Sequence, residues 1–461
     1  MKKYDAIIIG SGQAGTPLAK KLAKAGWKTA IIEKRFVGGT CVNDGCTPSK
    51  TMAGAARMTY MAGRAQEFGI PSDPSQIDLK TVVDRKNSVV SRSREGLLKS
   101  LTETPGLDLL TGTAAFSGHK TVNVTYTDGS ADELSADHIF INTGTRPRIP
   151  SIPGLDNVPY LTSTTLLDIP EKPEHLLILG SGYIAMEFGQ MFRRFGSAVT
   201  ILERAPNILI REDEDVAETI AGIMEEDGIR IITSADVKEA TQENGKITLA
   251  VAINGATQRI SGSHLLIGAG RIPNSDALQL QQTGVAADDK GYIITNEKLE
   301  TNVEGIYALG DVKGGPAFTH ISYNDFLIVS GNLLEKKQRS VRDRQVPYCM
   351  FTDPELGRIG LTEKEARAQG FKIKVAKLPL TKVARGIESG ETRGLMKAVV
   401  DAETKQILGA SILSVSGGEI MSVLQVAMMG HITYEEMRNN VFAHPTFTES
   451  LNNLFMTLDN D

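Results

Sequence analysis

Asp5-Ala6-Ile7-Ile8-Ile9-Gly10-Ser11-Gly12-Gln13-Ala14-Gly15 is the stretch from which the fold can be read. Residues 5–9 have the pattern of a short buried strand, and Gly10-x-Gly12-x-x-Gly15 follows at once. A helical stretch over 16–25 and a second strand over 29–32 come next, and that strand ends in Glu33. Strand, glycine turn, helix, strand and acid occur in the order that binds a dinucleotide. The glycines permit a tight turn and let a pyrophosphate approach the helix N-terminus, and the acid accepts hydrogen bonds from a ribose.

The same unit recurs 170 residues later. Gly10, Gly12, Gly15, Gly26 and Glu33 map onto Gly180, Gly182, Ala185, Gly196 and Glu203, and both copies open on an apolar strand, 6–9 and 176–179. Two copies imply two dinucleotides, held by two α/β nucleotide-binding folds that face each other. Glu203 ends the second strand of the second copy, where a carboxylate bonds a ribose 2′-hydroxyl and repels a 2′-phosphate. That favours NADH over NADPH, while the neighbouring Arg204 works in the opposite direction.

Two exits mark where the chain changes domain. Residues 139–142 read as a strand ending in Thr143-Gly144-Thr145-Arg146-Pro147, and residues 265–267 as a strand ending in Gly268-Ala269-Gly270-Arg271-Ile272-Pro273. Glycine followed closely by Arg and Pro suits a crossing between domains. The expected organisation is one nucleotide domain, residues 1–150 and 271–340, interrupted by a second at 151–270. From about Gln345 the pattern alternates, with strands at 346–351, 395–401 and 407–413, which suggests an antiparallel sheet in an interface domain over 341–461. Residues 419–429 are apolar nearly all round and predict a buried helix.

Between the first copy and its second half lies Gly38-Gly39-Thr40-Cys41-Val42-Asn43-Asp44-Gly45-Cys46-Thr47-Pro48-Ser49-Lys50. It holds two of the three cysteines in the chain. A regular helix would set this pair about 7.5 Å apart along its axis, beyond the roughly 4.4–6.8 Å Cα separation of a disulfide. Asn43-Asp44-Gly45 can supply the irregular turn that closes the gap. Pro48 suits a first helical turn, which puts Cys46 at a helix N-terminus where the dipole favours a thiolate. Lys50 adds a positive charge one turn on. The pair therefore reads as reactive thiols rather than a structural staple, and it lacks the second ligand pair of a zinc site. No metal site is expected elsewhere.

Near the C-terminus, Phe442-Ala443-His444-Pro445-Thr446-Phe447-Thr448-Glu449 offers a histidine and an acid. Histidine titrates near neutrality and suits acid–base work. Thr446-x-x-Glu449 is equally a capping box for a last helix over 447–458.

Gly38–Lys50 resembles the redox-active disulfide signature of the class I pyridine nucleotide-disulfide oxidoreductases, the family of dihydrolipoamide dehydrogenase, glutathione reductase and mercuric reductase. Asp44 and Thr47 depart from the hydrophobic residues of that signature. The resemblance runs from residue 5 to about residue 455. It implies a flavoprotein with FAD in the first fold, on Gly10, Gly12, Gly15, Glu33, Gly39, Thr40, Ala114, Thr143, Gly144, Arg271, Gly310 and Asp311. Gly112-Thr113-Ala114 is similar to the family's adenine-side loop, and Asp311, otherwise readable as a helix N-cap, to the carboxylate that binds the ribityl chain. NAD(P)H is implied on Gly180, Gly182, Glu203 and Gly270, with Tyr183 placed like a gate over the nicotinamide pocket. Lys50 would lie near the flavin N5 and pair with Glu187. Cys46 would be the thiolate nearest the flavin and Cys41 the thiol that attacks substrate. His444 and Glu449 match the family's H-P-T-x-x-E motif and would come from the second subunit of a homodimer. Hydride would pass from nicotinamide to flavin, and electrons then to the Cys41–Cys46 pair and an acceptor.

Phe318-Thr319-His320-Ile321-Ser322-Tyr323 and Arg211-Glu212-Asp213 are similar to a bacterial, mercuric reductase-like branch that includes a reactive-chlorine-induced flavoprotein regarded as a copper(II) reductase. His320 itself reads as a helix-capping residue. Mercuric reductases add a vicinal cysteine pair near the C-terminus and lack the H-P-T-x-x-E motif, whereas the tail 452–461 holds no cysteine and Cys349 sits in a predicted strand as an inert buried thiol. The expected acceptor is a small disulfide or a loosely held oxidant such as Cu(II), with Asp44 raising the thiol pKa and attracting cations. Mercuric ion reductase, dihydrolipoamide dehydrogenase and a flavin-bound thiol sensor are the alternatives.

A chain of 461 residues predicts about three domains. A net charge of −5 is too mild to point to nucleic acid or an anionic membrane. Few cysteines fit a reducing cytoplasm better than a secreted scaffold. The apolar run after Met1-Lys2-Lys3 turns glycine-rich within a few residues and reads as a strand, not a signal peptide.

Overall fold

A computed structural model describes residues 1–72, 77–342 and 344–460; Asp461, the last residue of the tail read above, lies outside them. Lys2–Ile9 is a strand, Gly15–Lys24 a helix and Thr29–Glu33 the second strand. Ile7, Ile8, Ile31 and Phe140 are fully buried, as expected for central parallel strands covered on both faces.

The two halves repeat in three dimensions. In the first sheet Thr29–Glu33, Lys2–Ile9, Ala131–Ile141 and Ile306–Ala308 lie side by side in parallel, with the start of Leu107–Gly118 beyond Thr29–Glu33. In the second, Arg230–Ile232, Ala198–Leu202, His175–Leu179, His264–Ile267 and Tyr160–Leu161 follow the same order. Each half inserts an antiparallel meander before its fourth parallel strand. In the first it is formed by Leu107–Gly118, Thr121–Tyr126 and Ala131–Ile141, and in the second by Ala235–Glu243, Lys246–Ile253 and Ala256–Gly262. The strand expected over 139–142 is therefore only the end of a longer one, because its first residues belong to the meander. Gly112-Thr113-Ala114, expected as a loop, lies within the strand Leu107–Gly118.

The repeat extends to single hydrogen bonds. Gly10 N donates to Ile32 O and Gly180 N to Leu202 O, both at 2.8 Å. The closeness of the first turn explains its glycines: a Cβ on Gly15 would sit 2.1 Å from Gly10 O. The second copy has Ala185 at the matching position, fully buried.

The two exits pair with each other. Thr145–Pro147 and Arg271–Pro273 form a two-stranded antiparallel ribbon, with Ile272 opposite Arg146. Beyond Arg344 the chain forms a five-stranded antiparallel sheet in which Glu355–Gly360, Ile407–Ser414 and Leu395–Asp401 are central. The helix Gly417–Met429 packs on it through Ile420, Met421 and Leu424. It is not buried all round as expected. Val426 and Met429 are 66% and 65% exposed, so the second apolar stripe faces outward in the single chain. The last helix is Ser450–Met456, shorter than the expected span.

An ion network ties the three sheets together. Asp353 pairs with both Arg57 and Arg194, Asp227 pairs with Arg194 and with Arg393 at 2.7 Å, and Glu391 lies 3.0 Å from Arg57. Arg194 and Arg393 lie 4.0 Å and 4.8 Å from the centre of the Tyr60 ring, within cation–π range.

Candidate functional site

The halves face one continuous cleft of about 3050 Å³, lined also by the interface domain. Nearly every residue singled out in the sequence lines it, from Gly10, Gly12 and Glu33 of the first unit to Gly180, Gly182 and Glu203 of the second. Gly39, Thr40, Cys41, Cys46 and Lys50 of the redox loop do so, as do Ala114, Thr143, Gly144, Gly270, Arg271 and Asp311. Gly15 and Gly310 sit behind the wall and shape it. Gly310 N donates to the fully buried Asp325 carboxylate at 2.8 Å.

The thiol loop has the predicted break. Gly39–Asn43 is a short helix, Asp44 and Gly45 interrupt it, and Cys46–Gly63 is a new helix with Cys46 as its first residue. Both cysteines are free thiols. Hydrogen bonding between the two sulfurs lowers the Cys46 pKa to about 6, opposed by burial and helped by Thr319 and Lys50. The same sulfur–sulfur bond, with burial, pushes Cys41 up. Cys46 Sγ lies 3.2 Å from Thr319 Oγ1, at the start of the helix Thr319–Glu335.

Asp44 does not act on the thiols as expected. Its carboxylate is engaged by the Arg35 guanidinium, and Cys46 is shifted down, not up. Lys50 Nζ meets Glu187 Oε2 at 2.7 Å and lies 4.6 Å from the centre of the Phe351 ring. The other Glu187 oxygen accepts from Phe351 N at 2.8 Å.

The two strand-end acids are held in the same way. Glu33 Oε2 accepts from Ser11 N at 3.1 Å and Ser11 Oγ at 2.7 Å, and Glu203 Oε2 from Ser181 N at 2.9 Å and Ser181 Oγ at 2.6 Å. Their second oxygens accept from Arg35 N and Ala205 N at 2.9 Å and 2.7 Å. Ser11 and Ser181 obey the same 170-residue offset as the glycines, a signal present in the sequence but unused.

Several elements of this wall have a fit for a flavin nucleotide. A Cβ on Gly39 would lie 2.8 Å from Gly12 Cα, so the thiol loop presses bare backbone against the glycine turn. Thr143 Oγ1 is buried in the cleft wall with no partner among the described residues. Asp311 accepts from Thr145 Oγ1 at 3.2 Å, and burial, opposed by Arg271, raises its pKa. Asp311 lies in the short turn Gly310–Lys313 and is not its cap. Arg271 is tied to Thr145 by bonds of 2.8 Å and 2.7 Å.

On the opposite side Tyr183 opens the helix Tyr183–Arg194, and its hydroxyl donates to Glu212 Oε1. Tyr348 OH donates to that oxygen at 2.8 Å. Tyr348 stacks on Phe318 and Phe318 on His320, at 5.3 Å and 5.4 Å between centroids. His320 is not a cap: its Nε2 faces Pro347 O at 2.6 Å. Cys349 is half-buried rather than hidden and lines the cleft; burial, then Glu355 and Glu187, push its pKa up.

His444 and Glu449 are outside this cleft lining. His444 Nδ1 lies 2.9 Å from Glu449 Oε2, and its side chain is 67% exposed. The expected capping box is only half formed. Glu449 N donates to Thr446 Oγ1 at 3.1 Å, but the carboxylate turns to the histidine instead.

Two facing dinucleotide folds with a thiol pair in the cleft between them define a two-nucleotide thiol–disulfide oxidoreductase. The chain belongs to the pyridine nucleotide-disulphide oxidoreductase family, whose model matches residues 4–325; the family's dimerisation domain matches residues 346–455. Membership implies a flavoprotein enzyme using FAD and NAD(P)H, and a homodimer. The chain is 39% identical over 459 residues to the Escherichia coli protein named "Probable pyridine nucleotide-disulfide oxidoreductase RclA", covering 99% of both chains. It is 36% identical to a Staphylococcus aureus mercuric reductase, covering 99% of this chain and 83% of that one. A solved Cu(II) complex of RclA, titled an HOCl-induced flavoprotein disulfide reductase, superposes with a TM-score of 0.91 at 38% identity, over 99% of this chain and 100% of that one. Among the described residues no helix is long and apolar enough to cross a membrane, and no group of three or more His, Cys, Asp or Glu residues could hold a metal ion.

Proposed function

We propose that this chain is an NADH-preferring dithiol reductase that delivers two electrons to a small disulfide or to Cu(II). The observation that carries this reading is Cys46, a lowered-pKa thiol at a helix start with Lys50 one turn on and Glu187 linking it to the second nucleotide fold. FAD is assigned to residues 1–150 and 271–340, NAD(P)H to 151–270, and dimerisation to 341–461.

A bound flavin supplies two-electron acceptance from a reduced nicotinamide and two-electron delivery to a disulfide. Gly10, Gly12, Glu33, Thr143 and Asp311 would hold it, and Gly180, Gly182 and Glu203 the nicotinamide nucleotide. Lys50 stabilises the Cys46 thiolate. Cys41 attacks the acceptor disulfide, forms a mixed disulfide and expels one thiolate. His444 of the partner subunit, oriented by its own Glu449 bond, gives that thiolate a proton. Cys46 then attacks Cys41 Sγ, which restores the Cys41–Cys46 bond and releases the second thiol. With copper, two Cu(II) ions take one electron each as the dithiol closes to a disulfide and loses two protons.

The Cu(II) reading is favoured by the likeness to a relative solved with that ion. A dedicated mercuric ion role is not, because soft Hg(II) needs a thiolate relay and Cys349, the one remaining thiol in the sequence, is shifted away from thiolate. The thiol chemistry fits a reducing cytoplasm. The test is anaerobic turnover with NADH against lipoamide, glutathione disulfide, Cu(II) and Hg(II) in excess thiol. Turnover with a disulfide that falls in His444→Ala, or with Cu(II), supports the reading. Fast Hg(II) turnover indifferent to His444 overturns it.

A further inference from the structure

The segment Arg211-Glu212-Asp213 carries a cluster that the thiol chemistry does not use. The Glu212 side chain is fully buried, and one oxygen, Oε1, accepts from both Tyr183 OH and Tyr348 OH. Its other oxygen is 3.6 Å from Arg358 Nε, and both atoms lack a hydrogen-bond partner among the described residues. Arg358 is itself fixed, with Nη1 donating to Ile359 O at 2.6 Å.

The backbone on either side of Glu212 is pinned to the interface sheet. Glu212 N bonds Leu209 O at 2.8 Å, and Asp213 and Asp215 lie 3.0 Å and 2.9 Å from the Nζ of buried Lys397. The carboxylate is thus a stationary acceptor. Tyr183 is the movable partner: it is half-buried, begins its helix directly after Gly182, and shares a helix face with Glu187 four residues on. A phenol on that face overhangs the cleft toward Lys50.

We propose that Glu212 is a positioning residue: its shared oxygen latches the Tyr183 phenol across the nicotinamide pocket, and Tyr348 keeps that oxygen satisfied when the phenol swings out. The proposal rests on the assignment of the second fold to NAD(P)H. The shared acceptor is what makes such a latch workable. A buried carboxylate stripped of its donors costs far more than one bond. With Tyr348 in place, opening breaks a single hydrogen bond. The latched population lowers the apparent affinity for the nucleotide in proportion to the fraction held shut.

Two tyrosine variants give opposite signs, which a merely structural role would not. Tyr183→Phe removes the latch, and hydrogen bonds to charged groups are strong enough for NAD⁺ to bind the oxidised holoenzyme about tenfold more tightly. Tyr348→Phe leaves the oxygen to Tyr183 alone, strengthens the latch and weakens NAD⁺ binding about threefold. Calorimetry on the dimer measures both. The ¹⁹F signal of 3-fluorotyrosine at position 183 shifts on saturation in wild type. Glu212→Gln binds more tightly if it folds, and the two tyrosine variants decide the matter if it does not. Equal signs for the tyrosine variants, or an unchanged Tyr183→Phe, overturn the latch while leaving the nucleotide assignment intact. A wild-type protein that binds no nicotinamide nucleotide overturns both.

Discussion

Lys50 Nζ and Glu187 Oε2 stand 2.7 Å apart, joining the helix that begins with Cys46 to the helix that begins with Tyr183. The pair fixes a positive charge beside the thiol while anchoring it across the cleft. Lys50→Met removes that charge, and the Cys46 pKa should rise by about one unit, as for the loss of a nearby opposite charge. Ultraviolet thiolate absorbance of the reduced protein against pH measures it. A pKa unmoved by the substitution would show that Lys50 does not stabilise the thiolate.

The wild-type titration has a defined shape. Cys46 is held down to about 6, so its thiolate is present above that pH and lost below it. Thiolate absorbance, and with flavin bound a long-wavelength charge-transfer band, should appear with a midpoint near pH 6. Cys46→Ser should abolish both, and Cys41→Ser should show the band without reductant. Thr319→Val removes the hydroxyl 3.2 Å from Cys46 Sγ and should move the midpoint upward. A band surviving in Cys46→Ser contradicts the assignment.

The chemistry of the thiols was legible because it is local: a helix start, a proline and a lysine lie within a few positions. So was the pair of nucleotide folds, since close approach at Gly15 leaves no room for a side chain. Partners chosen in three dimensions were not. Thr319 reaches Cys46 across 273 residues, and Tyr348 reaches Glu212 across 136. The apolar helix Gly417–Met429 looked like core because burial in a domain and burial between subunits demand the same residues; exposed Val426 and Met429 separate the two. Asp44 was misread because nothing in the loop announces that Arg35 turns toward it.

Cofactor preference should follow Glu203. NADH is expected to give the higher kcat/KM, and Glu203→Ala should erase at least a tenfold advantage, about 1.4 kcal/mol. Ser181→Ala loosens the carboxylate by removing a 2.6 Å bond and should give a smaller loss of the same kind. Steady-state kinetics with both nucleotides decide it, and a tenfold NADPH preference in the wild type would contradict the expectation.

Mixed dimers test whether the site is shared. His444→Ala and Cys41→Ser homodimers should both be nearly inactive with a disulfide acceptor. Heterodimers of the two should recover about half of the wild-type rate, because one of the two sites is intact when His444 acts across the interface. Recovery absent from purified heterodimers would place both groups in one subunit.

The ion network should dominate stability. Asp353 is desolvated, yet Arg194 and then Arg57 outweigh that and keep its pKa low. Asp353→Asn leaves two guanidinium groups short of a partner and should cost about 3 kcal/mol, as for breaking a buried pair. Because the folded pKa is depressed, this contribution is present above the unfolded value and is lost as the pH falls through the folded one. Denaturant unfolding of wild type and variant at neutral pH and in acid checks both size and direction.

Ser11 grips Glu33 as Ser181 grips Glu203, atom for atom at a spacing of 170 residues. The molecule therefore carries its own control experiment. The same deletion, Ser→Ala, can be made in either copy, and each copy reports through a different ligand: retention of the flavin for one, affinity for the nicotinamide for the other. Any consequence common to both deletions belongs to the grip itself. Any difference between them measures what the surroundings have added since the copies ceased to be interchangeable.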